Sequence, residues 1–489
     1  MRSSGDKSER RTIRARSVQA VLVVALNTLQ AVCPGISSAG IEFAPVAPLA
    51  GAQAAADGLA ADRDAEVETD GNGTWLAVWS QGPGGGLGIT GFAPVFVRSV
   101  DDGITWSAPA LLRPEAADDA SPSAPGIATD GQGKWLVVWG TNLFEMQMTE
   151  SFDNGQSWGT PRVLVSASYL HGGPSAGTDG SGTWVVTWQS LDSLGGTIDE
   201  EGDILFSRSV DDGATWSAPA PVNTDAAGDF HTDAGVRLAT GGSGTWVAVW
   251  SSYAQAWYAR SADNGATWSA RTTFGHVGLG GPSSPDVATD GDGNWTAVWS
   301  VDGGFPQSGL DIWVSHSQDD GLTWTAESRL HPYMSNDRGD HEVPRIAAQG
   351  GGLWTAVWTS GDDLGGTKGR DTDTAVSTSR DNGTTWSAPA AVSTHSRRDG
   401  EDFGTHLLEL RIVLLHLFEF GRADEGKISW IKENDHPLAS VIREVCFVER
   451  FLLIIIEFEI WYGLTDDWEK LRHCGFLSVA ASASAALLW

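Results

Sequence analysis

The chain has 489 residues, and its 60 glycines and 24 tryptophans mark it as turn-rich and aromatic-rich rather than helical. Lysine and arginine number 31 against 62 aspartates and glutamates, and a formal net charge of −31 repels nucleic-acid phosphates and anionic lipid headgroups. Nucleic acid and stable membrane insertion are therefore excluded as expected partnerships, and disulfides cannot staple the body, because no cysteine lies between Cys33 and Cys446.

At the N-terminus, Arg10, Arg11, Arg14 and Arg16 precede the apolar run VQAVLVVALNTLQAV and then the small residues SSAG. That order describes a secretory signal peptide over residues 1–39, cleaved near Ala39, and the apolar run is short for a transmembrane helix. The mature protein is expected to be secreted, periplasmic or extracellular, with residues 40–59 a linker.

Two motifs then alternate six times each. One is a D-G-x-G turn, TDGNGTWLAVW at Thr69, with counterparts at Thr129, Thr178, Thr240, Thr289 and Ala348. The other is S-x-D-[DN]-G-x-[TS]-W, starting at Ser99, Ser151, Ser209, Ser261, Ser317 and Ser379. Within a unit, a segment such as GVRLAT leads into the first turn, and WVAVWSS leaves it with period-2 alternation. A variable loop, a third strand such as DILFSRS, the second motif and a fourth strand complete the unit. A repeat of this length fits a four-stranded propeller blade. The predicted fold is all-β: a six-bladed β-propeller of four-stranded antiparallel blades over residues 60–404, expected as a monomer. Eighteen of the 24 tryptophans recur at fixed repeat positions, which points to packing between blades.

The repeat then stops. From Thr405 the sequence, THLLELRIVLLHLFEF and later FLLIIIEFEIWYGL, loses every repeat feature. Residues 405–489 read either as a small helical region or as a tail altered by a frameshift.

The motif S-x-D-x-G-x-[TS]-W is the Asp box, or BNR repeat, and across its six blades the chain resembles the sialidase superfamily (neuraminidase-like) of β-propellers. The resemblance implies that the box is the turn between third and fourth strands, on the face opposite the active site. The residues agree, since the aspartate can accept N–H bonds within its own turn and the glycine can take positive φ. Chemistry is then expected on loops of the other face.

The resemblance further implies three arginines gripping a substrate carboxylate, a tyrosine nucleophile activated by a glutamate, and an aspartate as acid/base. A guanidinium offers a planar, permanently charged fork to a carboxylate, and a neutral tyrosine avoids repulsion from an anionic sugar. The family's N-terminal F/Y-R-I-P motif is missing. Candidate arginines are Arg63, Arg237 and Arg345, each at the start of a predicted innermost strand. Arg237 and Arg345 stand nine residues before Trp246 and Trp354, a register that holds Glu66, Gly126, Ser175 and Asp286 in the other blades. Two readings compete for this ring of residues. In one, Arg63, Arg237 and Arg345 grip an anion, with Asp64 or Glu66 as acid/base and Tyr333 as nucleophile beside Glu342. In the other, Glu66 pairs with Arg345 and Arg237 with Asp286 as salt bridges between adjacent blades. Tyr258 is expected to be a packing residue. No cofactor is expected; a structural calcium on the acidic loops, or a metal at His231 or His341, competes with plain solvation there.

The functional expectation is an exo-sialidase-like glycoside hydrolase acting on terminal acidic sugars of extracellular glycans or glycoconjugates. The alternative is a non-catalytic propeller that binds glycan or protein through its loop face.

Overall fold

The computed structural model describes residues 62–391, apart from 84–86, 88, 90, 114–123, 142, 167–170, 229–230, 254, 276–282, 303–308, 331–339 and 362–372. The expected signal peptide, linker and tail, and Tyr333, lie outside the described residues.

Blade 1 comprises β1 (Asp62–Thr69), β2 (Trp75–Gln81), β3 (Ala93–Ser99) and β4 (Ala110–Leu111), and blade 2 comprises β5 (Gly126–Thr129), β6 (Trp135–Gly140), β7 (Glu145–Ser151) and β8 (Arg162–Ser166). Blade 3 continues with β9 (His171–Thr178), β10 (Trp184–Ser190), β11 (Asp203–Ser209) and β12 (Ala220–Pro221), and blade 4 with β13 (Asp233–Thr240), β14 (Trp246–Ser252), β15 (Gln255–Ser261) and β16 (Thr272–Thr273). Blade 5 holds β17 (Ser283–Thr289), β18 (Trp295–Asp302), β19 (Leu310–Ser317) and β20 (Ser328–Arg329), and blade 6 holds β21 (His341–Gly350), β22 (Leu353–Ser360), β23 (Asp373–Ser379) and β24 (Ala390–Ala391). Every blade is an antiparallel sheet of four consecutive strands in sequence order, and no blade borrows a strand from another. The fold is therefore a six-bladed β-propeller, without helices among the described residues.

The second strand of each blade is buried on both faces, which turns the expected period-2 alternation into something different. Trp246, Ala248 and Trp250 of β14 pack into a core with Ile204, Phe206 and Val222 of blade 3. Val247 and Val249, pointing the other way, join a core with Trp295, Ala297 and Trp299 of blade 5. Alternation thus decides which neighbouring blade a side chain meets, and both faces need apolar residues. The first two repeat tryptophans of all six blades are buried, as the recurrence predicted. Each removes about 150–250 Å² from water, an upper value of about 4–6 kcal/mol. Tyr258 is also buried, against Phe274 and Trp324, and burial raises its pKa.

The S-x-D turn closes on itself. In blade 3, Ser209 Oγ accepts the Gly213 N–H at 2.8 Å and donates to Asp211 Oδ1 at 2.8 Å. Asp211 accepts the Thr215 N–H at 2.8 Å and the Thr215 hydroxyl at 2.6 Å, while Trp216 Nε1 donates to the Gly213 carbonyl at 3.0 Å. Asp212 and Gly213 both have positive φ, 58° and 77°, so the glycine is required where the chain reverses. The D-G-x-G turn is built similarly: Asp70 Oδ1 accepts the N–H groups of Asn72 at 2.8 Å and Thr74 at 2.9 Å. Both turn types lie at the same ends of the blades, because strands one and three run parallel within a four-stranded meander. The blade connections and the loops between second and third strands emerge on the opposite face.

Candidate functional site

On that loop face, five of the six innermost strands begin with a register shift; in β9 it falls between Gly172 and Ser175 without a positive φ, and the other four share one form. The register shifts between Arg63 and Glu66 in β1, Ala234 and Arg237 in β13, Ser283 and Asp286 in β17, and Glu342 and Arg345 in β21. Each bulge contains a residue with positive φ: Asp64 at 56°, Gly235 at 68°, Ser284 at 51° and Val343 at 51°. Glycine, aspartate and serine accept this conformation more readily than a β-branched valine that also precedes Pro344. Two residues after the bulge comes the register position singled out in the sequence. A bulge bends its strand and re-aims the next side chains, so it sets the direction of the residue at that position.

At that position Arg237 does not pair with Asp286 of the adjacent blade, as adjacency suggested. Arg237 Nη1 lies 2.8 Å from Glu66 Oε1, an ion pair joining blade 4 to blade 1, its opposite in the ring. Asp286, the expected partner of Arg237, accepts the Ile346 N–H of blade 6 at 3.0 Å instead. Ser175 does the same for the Leu238 N–H of blade 4 at 3.2 Å. In blade 2 the position is Gly126, where an added Cβ would lie 2.7 Å from the Pro174 carbonyl oxygen of blade 3. One repeat position thus carries blade-to-blade contacts around the ring and, through Glu66 and Arg237, a contact across it.

Arg345 is buried, and its Nη1 donates to the Pro344 carbonyl at 2.9 Å. Asp64 is exposed at the bulge of β1, and the backbone of Arg63 pairs with Ser80. Glu342 is half-buried on β21, opposite Thr359. His341, read from sequence as a loop residue, is a buried strand residue whose Nδ1 accepts the Trp358 indole N–H at 3.1 Å. That bond leaves the ring proton on Nε2 and uses the Nδ1 lone pair that a metal would need. Among the described residues, no group of three or more His, Cys, Asp or Glu side chains is arranged to hold a metal ion.

One pair of loop-face residues was not singled out together. His231, in the connection from blade 3 to blade 4, stacks on Tyr253, with centroids 4.6 Å apart and planes inclined by 14°. Tyr253 is exposed and has a φ of 37°. Both residues fall in predicted loops, but only the fold brings the two loops together.

No protein-family model matches the chain, and no curated protein matches it. Among solved structures it is similar to the Hadza microbial sialidase Hz136, at 16% identity over 61% of this chain and 63% of that chain, with a TM-score of 0.43. The chain therefore spans less than two thirds of that sialidase. It is also similar to the leech intramolecular trans-sialidase, at 12% identity over 66% of this chain and 67% of that one with a TM-score of 0.43. A protein of unknown function from Dyadobacter fermentans matches at 16% identity over 61% of this chain and 90% of that one, with a TM-score of 0.42. The propeller itself is established by the strand pairing of this chain.

Proposed function

We propose that the chain is a secreted Asp-box propeller of the sialidase superfamily that acts on glycans, as an exo-sialidase-like glycoside hydrolase of terminal acidic sugars. The observation that carries this reading is the meeting of Glu66 and Arg237 from opposite blades, at the register level that also holds Arg345. A cation held at that level can exchange its internal carboxylate partner for the carboxylate of an acidic sugar. In this reading Arg63, Arg237 and Arg345 supply the anion grip. Asp64 or Glu66 is the acid/base, and Tyr333 is the nucleophile with Glu342 as its activator. The bulges that precede Glu66, Arg237 and Arg345 fix the direction of these side chains from the rigid strands behind them.

A second reading is favoured by the same ion pair. Arg237 is already neutralised by Glu66, as suits a propeller that binds glycan or protein through its loops without catalysis. A fluorogenic sialoside assay on the full chain separates the two. The hydrolase reading expects turnover that falls by about two orders of magnitude or more in Arg237→Ala and Arg345→Ala, with folding monitored by circular dichroism. Absence of turnover in the unaltered chain leaves the binding reading. Turnover unaffected by both substitutions removes the arginines from the site.

A further inference from the structure

The face that carries the S-x-D turns takes no part in the proposed sialoside chemistry, and its exposed residues are uneven. The second position of the six turns holds Val100, Phe152, Val210, Ala262, Gln318 and Arg380, all exposed. The turn's own hydrogen bonds run through its serine, aspartate, glycine and final threonine or serine, so this side chain is free to vary. On blades 1, 2 and 3 it is large and apolar, with Val100 61%, Phe152 71% and Val210 62% exposed, and Ile104 beside them at 71%. Three consecutive blades thus present a large exposed apolar side chain at the same position of the turn, which the other three blades do not.

Each of the three apolar side chains is followed by a carboxylate, Asp101, Asp153 or Asp211. Hydrogen bonds from the Ser157 hydroxyl and N–H hold Asp153 at about 2, and those from the Thr215 hydroxyl and N–H hold Asp211 at about 2. Both are therefore charged at physiological pH. Between blades 1 and 2 the same face opens into a cleft of about 360 Å³, lined in part by Asp70, Asn72, Gln132, Phe152 and Asp153. It sets the exposed Asp153 carboxylate and the Asn72 and Gln132 amides beside an exposed aromatic ring. The Lys134 ammonium, 5.0 Å from the Phe152 centroid, is committed to Glu150 at 3.1 Å.

We propose that the crest of Val100, Phe152 and Val210, together with this cleft, is a docking surface for a basic amphipathic polypeptide segment. Charge complementarity selects the occupant. Carboxylates between apolar ridges repel a second copy of this chain, which carries −31, but suit a segment that alternates apolar side chains with lysine or arginine. One such cation fits the cleft, where the exposed Asp153 carboxylate favours positive charge.

The test is isothermal titration of the full chain with two peptides of equal charge, one of alternating lysine and leucine and one of lysine and serine, at about 0.15 M salt. The lysine–leucine peptide is expected to bind about tenfold more tightly. That preference should fall below about threefold when Val100, Phe152 and Val210 are all changed to serine. These side chains are exposed, so an unchanged melting temperature is expected to accompany the loss. Equal binding of both peptides would reduce the surface to bulk charge and overturn the proposal. A preference that survives the triple change would do the same, by moving the contact elsewhere.

Discussion

The carboxamide nitrogen of Asn154, in the S-x-D turn of blade 2, lies 2.8 Å from Asp70 Oδ2 and 2.8 Å from Thr74 Oγ1, both in the D-G-x-G turn of blade 1. Its oxygen accepts the Trp135 indole N–H of its own blade at 2.8 Å. Asn264 repeats this in blade 4, donating to Asp179 Oδ2 at 2.7 Å and Thr183 Oγ1 at 2.8 Å, and accepting from Trp246 at 2.8 Å. Where the position is aspartate, the facing turn has changed. Asp212 meets Lys134, whose Nζ lies 3.4 Å from its Oδ1, and Asp320 accepts from the Thr245 hydroxyl in a turn where Gly241 replaces the aspartate. An amide faces a carboxylate, and a carboxylate faces a donor or a cation.

Asn154→Asp is accordingly expected to destabilise the protein by about 1–3 kcal/mol, since it places a second carboxylate against Asp70 and deletes a donor. Asp70→Asn in the same chain should recover part of the loss. Urea denaturation of the single and double variants checks this; additive losses would show that the two side chains do not interact.

Lys134→Met tests the opposite arrangement. Lys134 is buried, with its ammonium 3.1 Å from Glu150 Oε1. Removing it leaves Glu150 with Arg162, 2.9 Å from its Oε2, as its remaining cation, and costs about 1–3 kcal/mol in chemical denaturation. Adding Asp212→Asn should return about 1 kcal/mol or less, because Asp212 is more than half exposed and screened by solvent.

The repeat, the blade count and the roles of serine, aspartate, glycine and tryptophan in the S-x-D turn were legible because each is written six times. The choice between Asn and Asp was visible too, but not its meaning, because Asp70 lies 84 residues from Asn154 and only the ring brings them together. The Glu66–Arg237 pair was hidden differently. Adjacency of blades suggested neighbouring partners, yet a long arginine at the innermost strand reaches across the ring, while the shorter Asp286 is taken by the backbone of Ile346.

Acid should unfold the protein through its S-x-D turns. The carboxyls of Asp153 and Asp211 stand at about 2 in the folded chain, against an ordinary value of 3.8. Between about pH 4 and pH 2 the unfolded chain therefore binds more protons than the folded one, so stability is present above that window and falls as pH drops through it. Asp153→Asn and Asp211→Asn are expected to be less stable at pH 7, and their stability should vary less between pH 4 and pH 2. Urea melts across that range measure both effects; a pH slope unchanged by the substitutions would place the acid sensitivity in other groups.

Gly126→Ala reads the tightest approach between inner strands. A methyl group there would lie 2.7 Å from a backbone carbonyl oxygen, which cannot rotate away as a side chain could. A loss of about 2–3 kcal/mol is expected. A stability equal to that of the unaltered chain would mean that blades 2 and 3 separate at little cost.

Val343 carries the last prediction. A β-branched residue at a φ of 51° stores about 1–2 kcal/mol of backbone strain, and it stands in the bulge between Glu342 and Arg345. Asparagine tolerates that conformation without widening the freedom of the unfolded chain as glycine does. Val343→Asn should therefore raise stability by about 0.5–1 kcal/mol, with the half-buried valine's lost contacts taking back the remainder. If the bulge is retained because it aims Arg345, relaxing it should weaken sialoside turnover or glycan binding while the melting temperature rises. A fall in both stability and activity would instead assign Val343 to packing, and would leave strain without a part in shaping the site.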